Sequence, residues 1–422
     1  MSTYSSETHG DLKKRWRFAL LAARCFHGLI LVAACFFPLS GASAQETFAT
    51  LAAKADKARD ANEFETAIAA YRRALKIKPS WRDGWWSLGT IYYDRSQYSE
   101  AAPAFRRLVE TDAKNGTGYA MLGLCEFEMG QDAAALHDIQ TGLGFGLLTD
   151  DGLRKVVLYH EGMLLLRRGR FGSAQNALSL LASYGVRDDQ LAQALGMAVL
   201  SIAPQSLTPE SKQRGVVLWT GRAEILGAQK ELDKGQSIYA SLVAQAPEFP
   251  NLHYAYGRYL LLAHQPDKAV DEFQQEIKNN PSHVRSYLYI AAARYRMDSA
   301  DGVKYAAHAV QLDSSLPFGH YMLGLLYADT HEYAKAIPEL ELASKQMSQR
   351  ADIYYALGNA YARVGREEDA ANAREKFRRL NAESSGGNEP NVYGDNPPIR
   401  VETEGTPEEK HLSGRGDGIG RP

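Results

Sequence analysis

A chain of 422 residues is longer than one hydrophobic core usually supports, so it must be split into domains or built as an array that adds core with each unit. Its 45% hydrophobic and 23% charged residues and its net charge of -2 are those of an ordinary soluble protein, and they give no charge-based reason to expect a nucleic-acid partner or an anionic membrane surface. Of three cysteines, Cys25 and Cys35 lie near the N-terminus and only Cys125 lies beyond it, so the body of the chain has no second thiol with which to close a disulfide.

The chain opens with the pattern of an export signal. Lys13, Lys14, Arg15 and Arg17 form a basic cluster. An apolar run from Phe18 to Leu39 follows, interrupted by Arg24 and His27, and Ala42 and Ala44 stand where a small-residue cleavage site requires them. Cleavage after Ala44, making residues 1–44 a signal peptide and Gln45 the mature N-terminus, is the favoured expectation. Two alternatives stay open: the 18–39 run is long enough to span a bilayer uncleaved, and Val32-Ala33-Ala34-Cys35 resembles a bacterial lipobox. Against the anchor, an arginine at mid-span costs about 2.5 kcal/mol or more on insertion scales. On each reading the body of the chain is exported, periplasmic or secreted, and any membrane attachment runs through this segment alone.

From residue 48 onward a pattern recurs every 34 residues. Residues 82–115 hold Trp85-x-x-Leu88-Gly89-x-x-Tyr92 and then Ala101 and Phe105, which resembles the tetratricopeptide repeat (TPR) motif at each of those positions. Residues 48–81 keep the register with Ala67, Tyr71, Ala74 and Pro79, and 116–149 with Tyr119, Leu122, Gly123, Ala135 and Ile139. The phase continues with Gly162, Ala174 and Leu178 in 155–188, Trp219, Tyr239 and Pro247 in 216–249, and Tyr256, Gly257, Ala269 and Phe273 in 250–283. Leu323, Gly324, Tyr327 and Ala336 in 317–350 and Tyr354, Leu357, Gly358 and Ala370 in 351–384 complete the series, while 189–215 and 284–316 are degenerate. The resemblance implies an all-α fold, a right-handed superhelical solenoid of about ten stacked antiparallel helix pairs over residues 45–383, with a concave inner face. Small residues at the eighth, twentieth and twenty-seventh positions permit close helix approach, and large ones at the fourth, seventh, eleventh and twenty-fourth fill the space between. No pair buries its apolar stripe alone, so each is stabilised by its neighbours.

Residues 385–422, with Gly386-Gly387 and Pro397-Pro398, lose apolar periodicity and read as a disordered tail. Arg415-Gly416-Asp417 within it is too short a motif to read as more than part of a solvated terminus.

Signatures of catalysis do not emerge. No GxxxxGK[ST], GxSxG, HExxH or CxxC occurs. His160-Glu161 begins like a zinc motif, but Leu164 stands where the second histidine belongs. Gly142, Gly144 and Gly146 make a GxGxG that follows a helical segment, so a turn or helix break explains it better than a nucleotide site. No enzyme activity, cofactor or metal is expected.

In TPR proteins that bind extended peptides, the second, fifth, ninth and twelfth positions of the first helix line the groove. That resemblance assigns a partner-binding role to Trp86, Tyr93, Tyr159, Tyr254, Arg258, Tyr295, Tyr321, Tyr355 and Asn359. Aromatic rings supply contact area at low entropic cost, and Arg and Asn supply directed hydrogen bonds. The alternative for each ring is that it packs against the neighbouring unit. The TPR subgroup that clamps a C-terminal carboxylate with a fifth-position Lys is not matched, since the fifth positions Ala52, Trp86, Ala120, Tyr159, Thr220, Tyr254, Leu288, Tyr321 and Tyr355 include no Lys. The expectation is a non-catalytic protein-interaction scaffold of the cell envelope with a protein or peptide partner. A self-associating structural spacer and an enzyme accessory subunit are the alternatives.

Overall fold

Nineteen α-helices and one 3-10 turn make up the described residues of the computed structural model (46–147, 151–208, 211 and 213–384), with no strand among them. The signal segment with Cys25 and Cys35, and the tail from residue 385, lie outside the described residues. The helices form antiparallel pairs, each a helix A followed by a helix B: α1 (Phe48–Asp60) with α2 (Phe64–Ile77), α3 (Arg82–Asp94) with α4 (Tyr98–Thr111), α5 (Gly116–Glu128) with α6 (Asp132–Phe145), and α7 (Asp151–Arg167) with α8 (Phe171–Ser183). α9 (Asp189–Val199) stands alone. Then come α10 (Arg214–Ala228) with α11 (Leu232–Gln245), α12 (Leu252–Leu262) with α13 (Pro266–Asn279), α14 (Val284–Arg294) with α15 (Ser299–Leu312), α16 (Pro317–Asp329) with α17 (Tyr333–Gln346), and α18 (Ala351–Arg363) with α19 (Glu367–Ser384). The chain divides into two compact units, residues 46–170 with 176–186, and 171–175 with 187–384.

The turn between helices A and B is the most regular feature of each pair. Its central residue is left-handed: Asn62 (φ 60°), Ser96 (58°), Gly130 (74°), Gly169 (68°), Lys230 (64°), His264 (57°), His331 (63°) and Gly365 (77°). The next amide donates back to a carbonyl near the end of helix A, as Gln97 N–H does to Tyr92 O at 2.9 Å and Gln265 N–H to Leu260 O at 2.9 Å. This satisfies carbonyls that a helix end otherwise leaves unpaired. The degenerate stretch 189–215 keeps the same turn after α9, with Ser201 at φ 55° and Ile202 N–H on Met197 O. There Pro204 follows at once, and the three-residue turn Pro204–Ser206 stands in place of a second helix. The unit therefore supplies one helix where the repeat leads one to expect two.

Glycine at the eighth position of helix A meets the residue sixteen places later on helix B. A Cβ on Gly89 would meet the Phe105 ring, on Gly123 Ile139, on Gly162 Leu178, on Gly257 Phe273 and on Gly324 Leu340. The last pair keeps the spacing but not the apolar residue, because Gly358 faces the Arg374 side chain. In the GxGxG segment, Gly142 is packed against the backbone of Gly116 and Ala120, and Gly146 ends α6 at φ 87°.

A second repeated bond ties each pair to the link before it. From the fourth position of helix A a side chain reaches the carbonyl six residues earlier: Trp85 Nε1 to Pro79 O at 2.7 Å, His253 Nε2 with Pro247 O at 2.9 Å, Tyr287 Oη to Pro281 O at 3.1 Å, and His320 Nε2 with Ser314 O at 2.9 Å. The two histidines also reach helix B through Nδ1, His253 to Glu272 at 2.6 Å and His320 to Glu339 at 2.5 Å. Burial pulls both imidazoles down, but the carboxylate and carbonyl bonds outweigh it and leave each above the usual value of 6.5. A group raised on folding stabilises fully below its unfolded pKa, and that contribution is lost as pH rises through the folded value. Thermal melting should therefore occur at lower temperature at pH 8 than at pH 6, by about 2–4 °C for each kcal/mol of this coupling. His253→Gln with His320→Gln should flatten that part of the profile, whereas an unaltered slope would show that other groups set it.

Helix A is buried on several sides because it packs on its own helix B and also on the A helices of adjoining pairs, as α16 does on α14 and α18. In α5 this burial extends to Cys125, whose thiol it pushes far above the ordinary value. Only the thiolate reacts. Cys125 should resist a thiol reagent in the native protein and be labelled completely in denaturant, as read by peptide mass spectrometry, and rapid native labelling would contradict this packing.

Candidate functional site

The nine residues expected to line a binding groove separate into three groups. Tyr254 and Tyr321 are a correction: they are only 2% and 0% exposed. They occupy the fifth position of helix A, where Ala120, Thr220 and Leu288 are buried too, because that face meets neighbouring A helices rather than solvent. Tyr254 packs against His283 at 4.8 Å and Tyr289 at 5.6 Å between ring centres. Tyr321 donates to Asp352 at 2.7 Å, and the Arg350 guanidinium lies 4.3 Å over its ring. Arg258 is half-buried and donates to Gln175 at 2.8 Å, beside the carboxylate of Glu224, which accepts from Tyr239 at 2.5 Å. It serves a network within the fold.

Trp86, Tyr93 and Tyr159 are half-buried in the N-terminal unit, each edge-on to a neighbouring ring: Phe105 at 5.7 Å, Tyr98 at 5.5 Å and His160 at 5.8 Å. Burial holds the Tyr93 phenol well above its usual range.

Tyr295, Tyr355 and Asn359 do come together. They line an open cleft of about 470 Å³ with Arg296, Asp329, Tyr333, Arg363 and Arg374, over an apolar floor that includes Leu325, Ala356 and Ala360. The degenerate pair 284–316 creates its wall. α14 ends two residues early, Tyr295 leaves the helix at ψ 128°, and Arg296 takes the left-handed position at φ 66°. Met297 N–H then bonds Arg294 O at 3.0 Å instead of a carbonyl a full turn further back. Ser299 fixes this altered turn, accepting from Arg296 N–H at 2.9 Å and donating to Asp329 at 2.6 Å. Burial raises the Tyr295 phenol above its ordinary value, and neighbouring Arg296 partly offsets it.

The cleft's chemistry is aromatic and cationic. Arg363 lies 6.0 Å over the Tyr333 ring, and Arg363 and Arg374 are exposed, with no carboxylate partner among the described residues. Arg187, Arg222, Arg350 and Arg366, elsewhere in the same unit, each pair with an acid. Arg296, Arg363, Arg374 and Tyr333 were not anticipated from the sequence, which was read only at four positions of helix A. Arg374 carried a signal, since it takes the twenty-fourth position where other units place Phe105, Ile139, Phe273 or Leu340.

The tetratricopeptide-repeat family model matches residues 52–116 and 87–140. Beyond those residues the glycine crossings recur at Gly162, Gly257 and Gly324, and the left-handed turns in every later pair but the altered one after α14. Residues 52–140 of the chain are tetratricopeptide repeats. The chain's all-α repeat fold is that of TPR solenoids, a class whose members generally bind protein partners. Among solved structures, it resembles MamA from Desulfovibrio magneticus RS-1 at 16% identity over 40% of this chain and 96% of that one, with a TM-score of 0.37. It resembles the APC/C Cut9–Hcn1 hetero-tetramer at 10% identity over 79% and 87%, with a TM-score of 0.34, and yeast Tom70 at 12% over 79% and 85%, with a TM-score of 0.31. No curated protein matches the sequence.

Proposed function

We propose that this protein is a non-catalytic interaction scaffold that holds an extended segment of a partner protein in the cleft formed by α14, α16, α17, α18 and α19. The observation that carries the reading is the convergence of Tyr295, Tyr355, Asn359 and exposed arginines on one apolar-floored opening. Aromatic and arginine side chains at a desolvated centre are the residue types that dominate binding energy at protein interfaces.

Capture of partner proteins from an extract of the source cell tests it. Tyr355→Ala with Asn359→Ala and Arg363→Ala should remove the bound partner, each hot-spot residue costing about thirtyfold in affinity or more, while melting changes little. Capture that survives the triple substitution would place the site elsewhere.

We further propose that the chain works outside the cytoplasm, with residues 1–44 as its export signal, on the strength of the basic, apolar and small-residue segments in order. Mass spectrometry of the native protein should find Gln45 as its first residue. An intact N-terminus, or lipid on Cys35, would overturn cleavage at that point.

A further inference from the structure

The cleft is short of negative charge. Asp329, its one lining carboxylate, is engaged by Ser299, while Arg363 and Arg374 have no acid partner among the described residues. Arg374 also breaks the rule of its own fold. Opposite the eighth-position glycine, other pairs place an apolar side chain that fills the crossing, and here a guanidinium stands at the cleft instead. A departure from a repeat rule with no gain in packing marks a functional position.

The chain carries a segment of the opposite character. Val401–Glu409 reads Val-Glu-Thr-Glu-Gly-Thr-Pro-Glu-Glu, four glutamates without a Lys or Arg. It follows α19, the helix that bears Arg374. From Arg374 to Ser384 the helix rises about 15 Å, and the residues from 385 to 400 can span up to roughly 50 Å. Reach back to the cleft is therefore no obstacle.

We propose that Val401–Glu409 of this same chain docks in the cleft, its glutamates on Arg363 and Arg374, and so competes with the partner segment. The proposal rests on the reading of the cleft as the partner site. Carboxylates paired with guanidinium groups over an apolar floor form strong charge-assisted hydrogen bonds, and a tethered competitor acts at an effective concentration on the order of 1 mM. The cleft would thus be closed to weak ligands and open to strong ones.

The test uses a fluorescein-labelled peptide of residues 400–410 and fluorescence anisotropy, with the full chain as receptor. The wild type, its cleft already occupied, should bind the probe weakly. A full chain with Glu402→Gln, Glu404→Gln, Glu408→Gln and Glu409→Gln should bind it at least tenfold more tightly, with an affinity that falls as salt is raised. Adding Arg363→Glu and Arg374→Glu to that variant should abolish binding while its circular dichroism and melting stay those of the parent. Equal affinity for wild type and the neutralised tail, or binding indifferent to the arginine reversals, overturns the proposal. Partner capture that still depends on Tyr355 and Asn359 in that event leaves the scaffold reading standing, so the two fail separately.

Discussion

Gly221→Ala should destabilise the C-terminal unit by about 3 kcal/mol, the upper end of the usual cost of overpacking. α9 and α10 cross so closely that a Cβ on Gly221 would run into the carbonyl oxygen of Ala192, and one on Gly196 into the carbonyl oxygen of Val217. At the eighth-position glycines of the regular pairs the atom met belongs mainly to a side chain such as Phe273 or Leu340, which can turn aside. Here it is backbone on the facing helix, so relief requires moving α9 bodily. α9 has no helix B of its own and packs on α10, and separating the two would open one of the unit's inner joints. Gly144→Ala is the matching control. Its site within α6 is open, and helix propensity there favours alanine by about 0.5–1 kcal/mol. Urea denaturation of both variants decides the matter, and a Gly221→Ala protein within 0.5 kcal/mol of wild type would show that the crossing is looser than described.

These two glycines illustrate what the repeat pattern conveys and what it does not. Gly89, Gly123, Gly257 and Gly324 were legible because the TPR motif states what each must approach. Gly196 and Gly221 sit at a junction where the repeat is broken, and the pattern has no information about a helix that lost its partner. The sequence marked 189–215 and 284–316 as degenerate without indicating what degeneracy does. In the first, Pro204 removes a helix, and in the second an early helix end swings Tyr295 and Arg296 to the cleft wall. Tyr355 and Asn359 were found by register alone because α18 is regular. The arginines were missed since Arg363 and Arg296 stand at the thirteenth position of their units, outside the four positions that line a TPR groove, and Arg374 lies on the other helix of its pair.

Tyr321 and Tyr355, both fifth-position tyrosines of adjoining A helices, should respond oppositely to truncation. Tyr321→Ala removes a side chain with no exposed surface, packed at 5.8 Å from the Phe318 ring and roofed by Arg350. Loss of a buried aromatic costs about 3–5 kcal/mol through lost transfer energy and the cavity left behind. The hydroxyl adds to this, because Asp352 loses a donor at 2.7 Å and keeps only Arg350, whose Nε and Nη2 hold it at 2.9 Å each. An acid left short of partners in a packed setting carries its own penalty. Tyr355 is half-buried at the cleft, against Phe377 at 5.4 Å, so Tyr355→Ala gives up part of one aromatic contact and its other face already meets solvent. The expected outcome is a large fall in melting temperature for Tyr321→Ala, against a shift about a third as large or less for Tyr355→Ala with a loss of partner capture. Tyr321→Phe separates the two parts of the first effect, since it keeps the ring and surrenders only the bond to Asp352, at about 1–3 kcal/mol. If Tyr321→Ala melted like wild type, the fifth position would be a surface after all, and the distinction drawn here between packing tyrosines and cleft tyrosines would collapse.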